Sequence, residues 1–453
     1  MSRAHAALKA FFMAFEAGFS KVEISPPVVG DLSIPILGFW WERAKAYGEV
    51  HDPLYARAAC FRDGDRFTVV SMDAFGDGIG LTDSIRKLAS EKTGIPREKI
   101  MVCSTHAHTA PETYGLCWNA VDGRWLDWVA ERVASAVEEA ERRLELATMR
   151  VATARTEGLV VNRRASYVME RVAKGEARLS PEEIARSTDL DENLYAFTFL
   201  GADRSPVGII VNFACHPVIM QTVPVISSDY AGFVAEEAEK LTGATTLYLN
   251  GPCGDVNPAC GDTGNYSDVV ALGTRLASCI QRIANNFDKA SQVEEPVRLS
   301  ARRAVAKVRR RGLPRKEELL EEKERLEGEI AARSMVPPPR EDGLGAALFS
   351  IREKLTLYEM PEAFDAEVQV FSFGPHSIVG IPGELFACLG RDIRMAKRGV
   401  VQIATLANKI LGYIAPREAF AAGGYETQPA RWSRLAPGSG EEIRDAAVKL
   451  LRS

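Results

Sequence analysis

Only six histidines occur in the chain, and three sit in two short motifs that follow apolar, strand-like runs. Lys99-Ile-Met-Val-Cys-Ser leads straight into Thr105-His106-Ala107-His108, and Gly208-Ile-Ile-Val-Asn-Phe-Ala-Cys leads into His216-Pro217. Imidazole is the commonest protein ligand for transition metals. In extended backbone, residues two apart point the same way, so one strand end is expected to aim both rings of His106-x-His108 into one pocket. The chemistry to expect is a zinc-type site. The competing reading of a bare His-x-His is a satisfied loop.

The elements that must hold these residues are strands alternating with amphipathic helices, which indicates an α/β or mixed α+β fold. Arg66 to Met72 reads as a strand ending at Asp73, Gly80 to Thr93 as a helix, and Trp125 to Leu144 as a long amphipathic helix. Later strands are expected to end at His216, Asn250, near Glu384 and at Asn408. The polar clusters therefore follow the carboxyl ends of strands, where open α/β sheets build their sites. No internal repeat is evident in the sequence.

Composition narrows the function classes. With 453 residues, 46% hydrophobic and 26% charged, the chain can bury a large core. A formal net charge of −5 argues against a partner such as nucleic acid. No run reaches the roughly 18 apolar residues of a membrane span. Residues 1–17 are interrupted by Lys9 and Glu16 and read as an N-terminal extension with a short helix, not a signal peptide. Eight cysteines without paired metal-ribbon spacing fit a cytoplasmic protein with reduced thiols, a Cys253–Cys260 bridge being the alternative. Residues 18–453 are expected to form one catalytic domain. Within it, 313–360 is dense in i,i+4 charge pairs and is broken by Pro337-Pro338-Pro339. It reads as a helical hairpin protrusion whose deletion leaves the fold intact, or as a lid or dimer contact.

Several motifs, taken in order, resemble one family. Ser104-Thr-His-Ala-His-Thr-Ala-Pro111, Asn212-Phe-Ala-Cys-His216, Ser227-Ser-Asp-Tyr-Ala-Gly232, Asn250-Gly-Pro-Cys-Gly-Asp-Val-Asn-Pro258 and Ile381-Pro-Gly-Glu384 are similar to segments of the neutral/alkaline (non-lysosomal) ceramidases. Tyr413 and Tyr425 match the spacing of that family's two active-site tyrosines. The resemblance implies a ceramidase-like α/β catalytic domain of mixed sheets with surrounding helices, and Zn²⁺ held by His106, His216, Glu384 and Tyr413. It also implies His108, Tyr425 and Arg163 as pocket residues, with His51 beside them. Asp73 and Asp255 are expected to orient the histidines. The family's serine falls at Asn257, and asparagine cannot form an acyl-enzyme.

The function these residues imply is a zinc-dependent amidase acting on a small-molecule or lipid-like amide other than ceramide, by metal-activated water. His108 is the expected base, Tyr425 and Arg163 the oxyanion donors, and Asn257 an orienting group. An ester or lactone hydrolase is the alternative within the class. Outside it stand a metal-binding protein without catalysis and a thiol enzyme using Cys253.

Overall fold

A computed structural model of the chain describes residues 15–26, 36, 49–116, 121–173, 179–285, 297–333 and 343–453. Its elements fall into three units that share a frame of three strands, a helix, a fourth strand and a closing helix, with further short strands and helices inserted in the second and third. The first unit comprises β1 (Phe15–Glu23), β2 (Tyr55–Asp63), β3 (Asp65–Met72), α1 (Leu81–Thr93), β4 (Ile100–Ser104) and α2 (Gly123–Arg142). The second runs β5 (Glu145–Arg155), β6 (Val160–Asn162), α3 (Ser166–Ala173), α4 (Pro181–Ala185), β7 (Asn193–Leu200), β8 (Pro206–Phe213), α5 (Asp229–Thr242), β9 (Thr245–Asn250), β10 (Val256–Pro258) and α6 (Tyr266–Asn285). The third unit opens with β11 (Leu299–Arg309), α7 (Lys316–Ala332) and α8 (Gly343–Tyr358), followed by β12 (Ala363–Phe373), β13 (His376–Gly380) and β14 (Glu384–Leu385). It closes with α9 (Ala387–Arg394), β15 (Val401–Ala404), β16 (Tyr413–Ile414), α10 (Arg417–Ala422) and α11 (Ser439–Arg452).

The runs β1-β2-β3, β5-β7-β8 and β11-β12-β13 pair antiparallel, and the last strand of each pairs parallel with β4, β9 and β15 respectively. Units one and two join through β1 and β5 into an eight-stranded sheet, ordered β4-β3-β2-β1-β5-β7-β8-β9. Unit three makes the four-stranded sheet β11-β12-β13-β15. This repetition is invisible in sequence because only the strand pairing recurs, not the side chains.

The two sheets pack face to face and helices cover their outer faces, giving four layers. Strand alternation builds this. On β2, Ala59 and Phe61 face the opposing sheet, whereas Ala56, Ala58 and Cys60 lie against helices. Phe67 meets Phe371 at 4.6 Å and Phe61 meets Phe373 at 4.9 Å between ring centroids, fastening sheet to sheet. On the helix side, Gly18 lets α2 approach closely: a Cβ there would stand 2.1 Å from the Ala140 carbonyl.

Two expectations change. β1 begins at Phe15, inside the supposed 1–17 extension, because Phe15 and Ala17 fill the core between the sheets. Residues 1–14, where the terminal helix was expected, lie outside the described residues, as does the Pro337–Pro339 break. The 313–360 excursion does contain two helices, but it is not a free protrusion. Its second helix is pinned to the main body by Glu353, which is buried against Arg431 with Oε1 2.6 Å from Nη2. Among the described residues, no helix is long and apolar enough to cross a membrane.

Candidate metal centre

All three units contribute to one site at the same end of their strands. His106 lies two residues beyond β4, His216 three beyond β8 and Glu384 four beyond β13. The strand carrying the His106 motif stops at Ser104, and His106 itself has φ 72°. Its ring and that of His108 are therefore brought together by a left-handed turn, not by strand alternation as the spacing suggested. Their centroids are 4.7 Å apart and nearly perpendicular. A left-handed histidine is strained by about 1–2 kcal/mol, and such strain concentrates at functional sites.

The hydrogen bonds of the three imidazoles fix their tautomers. Nδ1 of His106 lies 2.7 Å from the Phe75 carbonyl, Nδ1 of His216 lies 2.5 Å from that of Cys253, and Nδ1 of His108 lies 3.1 Å from that of His106. A carbonyl only accepts, so each Nδ1 carries a proton, and a ring in its neutral form presents the Nε2 lone pair. Glu384 places Oε2 3.1 Å from Nε2 of His216 and 3.6 Å from Nε2 of His106. Nε2 of His106 is buried without a hydrogen-bond partner. Two buried Nε2 atoms thus converge on one buried carboxylate, an arrangement that suits a divalent cation.

The group His106, His108 and His216 could hold a metal ion, their ligand atoms lying within 4.8 Å of one another. Burial, reinforced by the Arg163 guanidinium, pushes His216 down to about 4, which keeps it neutral and ligand-ready. Burial also holds His108 well below the usual histidine range, helped by His106 and His216.

Glu384 and Tyr413 are adjacent through the parallel pairing of β14 with β16. The buried Tyr413 hydroxyl receives a 2.9 Å hydrogen bond from Arg163 Nη2. Arg163 also donates to Glu426 Oε1 (2.8 Å), Asn257 Oδ1 (3.2 Å) and the Gly254 carbonyl (2.9 Å). The guanidinium therefore ties three other segments together around the cluster. Because a guanidinium offers donors only, the Asn257 oxygen must face it, and the amide NH₂ faces away. Tyr425 sits at the rim, 39% exposed, with its ring edge-on to Tyr413 at 5.9 Å.

The remaining expectations fare differently. His51 pairs with Asp52 at 2.9 Å and lies over Tyr266, and no described contact brings it to the cluster. Asp73 accepts from the Tyr55 amide and faces Arg57 at 3.5 Å. Asp255 accepts from the Ala387 amide and Asn162. Neither carboxylate meets a histidine Nδ1, since backbone carbonyls occupy all three Nδ1 positions. Cys253 and Cys260 are not bridged to each other. Burial raises the Cys253 thiol far above its ordinary range, which removes it as a nucleophile.

Sequence reasoning missed Glu426, whose carboxylate is clamped by Arg163 and by Arg164 at 2.5 Å. It missed Phe75 too, whose ring lies 4.5 Å from His106 and 4.8 Å from His108. Trp432, stacked on Tyr425 at 5.1 Å, was a third. Glu426 adjoins a motif tyrosine and could have been flagged. The two aromatic residues gave no signal beyond hydrophobicity.

The paired sheets, with a histidine and carboxylate cluster at one end, define a neutral ceramidase-like fold. Over 97% of its length the chain superposes on the crystal structure of neutral ceramidase from Pseudomonas aeruginosa, with TM-score 0.73 and 18% identity, matching 74% of that chain. A ceramidase structure described as complexed with C2 matches similarly, with TM-score 0.72 and 16% identity over 97% of this chain and 75% of that one. No family model matches the sequence, and no curated protein does.

Proposed function

We propose that this protein is a zinc-dependent hydrolase that cleaves an amide bond in a small-molecule or lipid-like substrate. The observation that carries the reading is the convergence of bare imidazole Nε2 atoms on the Glu384 carboxylate. The fold neighbours are named as ceramidases, and this favours an amide over an ester or lactone as the bond cleaved.

His106, His216, Glu384 and Tyr413 are the proposed ligands. Zinc bound there would supply Lewis-acid polarisation of a carbonyl and activation of water. His108 keeps Nε2 free because its other nitrogen is committed to the His106 carbonyl, so it can take a proton from water and return it to the leaving amine. The Asn257 NH₂ and the Tyr425 hydroxyl are the donors available for developing oxyanion charge. Arg163 positions Asn257 and Tyr413 instead of touching substrate. With asparagine at position 257, hydrolysis proceeds without an acyl-enzyme there.

The test is metal analysis of the purified protein followed by assay against N-acyl amides of increasing size, ceramide included, with matched esters alongside. About one zinc per chain and turnover of a compact amide, abolished by chelator, is the expected result. Bound zinc with no turnover of any amide or ester would leave a metal-binding protein and overturn the catalytic reading. Ceramide turnover matching the best small amide would overturn the substrate assignment.

A further inference from the structure

We propose that the excursion formed by α7 and α8 is a positioning element for Tyr425, acting through Phe349 and Trp432. The inference rests on the reading of Tyr425 as a site residue and concerns a part of the chain to which that reading gives no role. Phe349 on α8 stacks on Trp432 with centroids 6.0 Å apart and planes within 11°. Trp432 also stacks on Tyr425 at 5.1 Å and 21°, and the Trp432 indole N–H approaches the Tyr425 carbonyl at 3.4 Å. Tyr425 then meets Tyr413 edge-on, and the Tyr413 ring lies 6.4 Å from that of His216. A continuous row of rings thus runs from α8 to the histidine cluster.

The row is anchored at its outer end. Four residues along α8 from Phe349, one helical turn, Glu353 accepts from the Arg431 guanidinium and from the Arg431 backbone N–H at 3.1 Å. Arg431 immediately precedes Trp432, and its Nη1 reaches the Gly115 carbonyl at 3.2 Å. The Trp432 carbonyl in turn accepts the Tyr413 N–H at 2.8 Å, and a Cβ at Gly412 would stand 2.2 Å from that same oxygen. Trp432 is therefore held by backbone on the site side and by a ring on the α8 side. Tyr425 is 39% exposed, and among the described ring contacts the Trp432 stack lies nearer to it than the Tyr413 edge contact.

The experiment nitrates the zinc-loaded full chain with tetranitromethane and follows Tyr425 by peptide mass spectrometry, with Tyr266, remote from α8, as internal control. Phe349→Ala should raise the Tyr425 nitration rate by roughly 2- to 12-fold, the span one lost aromatic pair corresponds to, without changing Tyr266. Phe349→Tyr should restore the original rate, which loss of general stability would not predict. Phe349→Leu keeps the apolar bulk and serves if the alanine variant does not fold. Unchanged Tyr425 nitration in a folded Phe349→Ala or Phe349→Leu protein, or failure of Phe349→Tyr to restore it, overturns the proposal. Nitration needs no turnover, so its outcome stands even if no amide proves to be a substrate. Where an amide is turned over, kcat/KM should fall with the alanine variant and recover with tyrosine. An unchanged kcat/KM would show that Tyr425 is not a site residue.

Discussion

Glu384 and Tyr413 are register partners in a two-residue parallel ladder, so the turn that places the carboxylate also places the phenol. The ladder is closed by the Glu384 amide donating to the Gly412 carbonyl at 2.9 Å. Gly383 makes this possible, since a Cβ there would lie 2.5 Å from the same carbonyl. Gly383→Ala should therefore loosen zinc without removing a ligand, by the 10- to 100-fold typical of lost supporting contacts. Competition with a metallochromic chelator would measure it. Wild-type affinity in the variant would mean that the ladder does not set the ligands.

Direct loss of a ligand should act more severely. His106→Ala and His216→Ala are expected to drop bound zinc from about one per chain to near zero and to lower activity by orders of magnitude. Elemental analysis after dialysis decides the matter. Full zinc in either variant would place the ion elsewhere.

The polarity of Asn257 gives a sharper test. Its oxygen is taken by Arg163, so its contribution to a reaction must come from the NH₂ group. Asn257→Asp keeps the shape and the Arg163 contact but has no donor. It should lose about 10²- to 10³-fold in kcat, within the roughly 10- to 10³-fold loss expected of Asn257→Ala, with zinc content unchanged. A fully active aspartate variant would show that the donor plays no part.

Much of this site was legible because chemistry-bearing residues cluster in short motifs. His106, His216 and Glu384 each follow an apolar strand, and strand ends can be read from hydrophobic runs. The left-handed turn at His106 was not legible, since histidine does not announce positive φ as glycine does. Nor was the use of backbone carbonyls to fix the rings, because carbonyls carry no sequence identity. The surroundings of Arg163 were hidden for a related reason: its partners Glu426, Asn257 and Tyr413 come from three distant segments that only the fold assembles. The three recurring units escaped notice because the fold conserves pairing order while the side chains differ.

The excursion should matter to stability more than its charge-rich sequence suggested. Glu353 is 1% exposed and its partner Arg431 is 7% exposed. Removing one member of a buried ion pair typically costs about 3–5 kcal/mol. Glu353→Ala should therefore be far more destabilising than Glu318→Ala on the exposed face of α7, where pairing contributes little. Denaturant titration of both variants would compare them. Equal stabilities would mean that α8 is not pinned through this pair.

Acid should weaken the fold through His376, which lies outside the candidate site. Its Nδ1 accepts the Val400 N–H at 2.9 Å, so the folded state requires that nitrogen to be unprotonated. Burial, with Lys397 nearby, lowers the group to about 4, against roughly 6.5 in the unfolded chain. Between those values the unfolded chain binds the proton that the folded one refuses. Stability therefore rises with pH from about 4 to about 6.5, and the contribution is complete above that window. His376→Gln removes the titration while leaving a side-chain oxygen able to accept from the Val400 amide. Its stability should fall less than that of the wild type between pH 7.5 and pH 5, as read by urea unfolding at each pH. Parallel losses in the two proteins would assign the acid sensitivity to other groups.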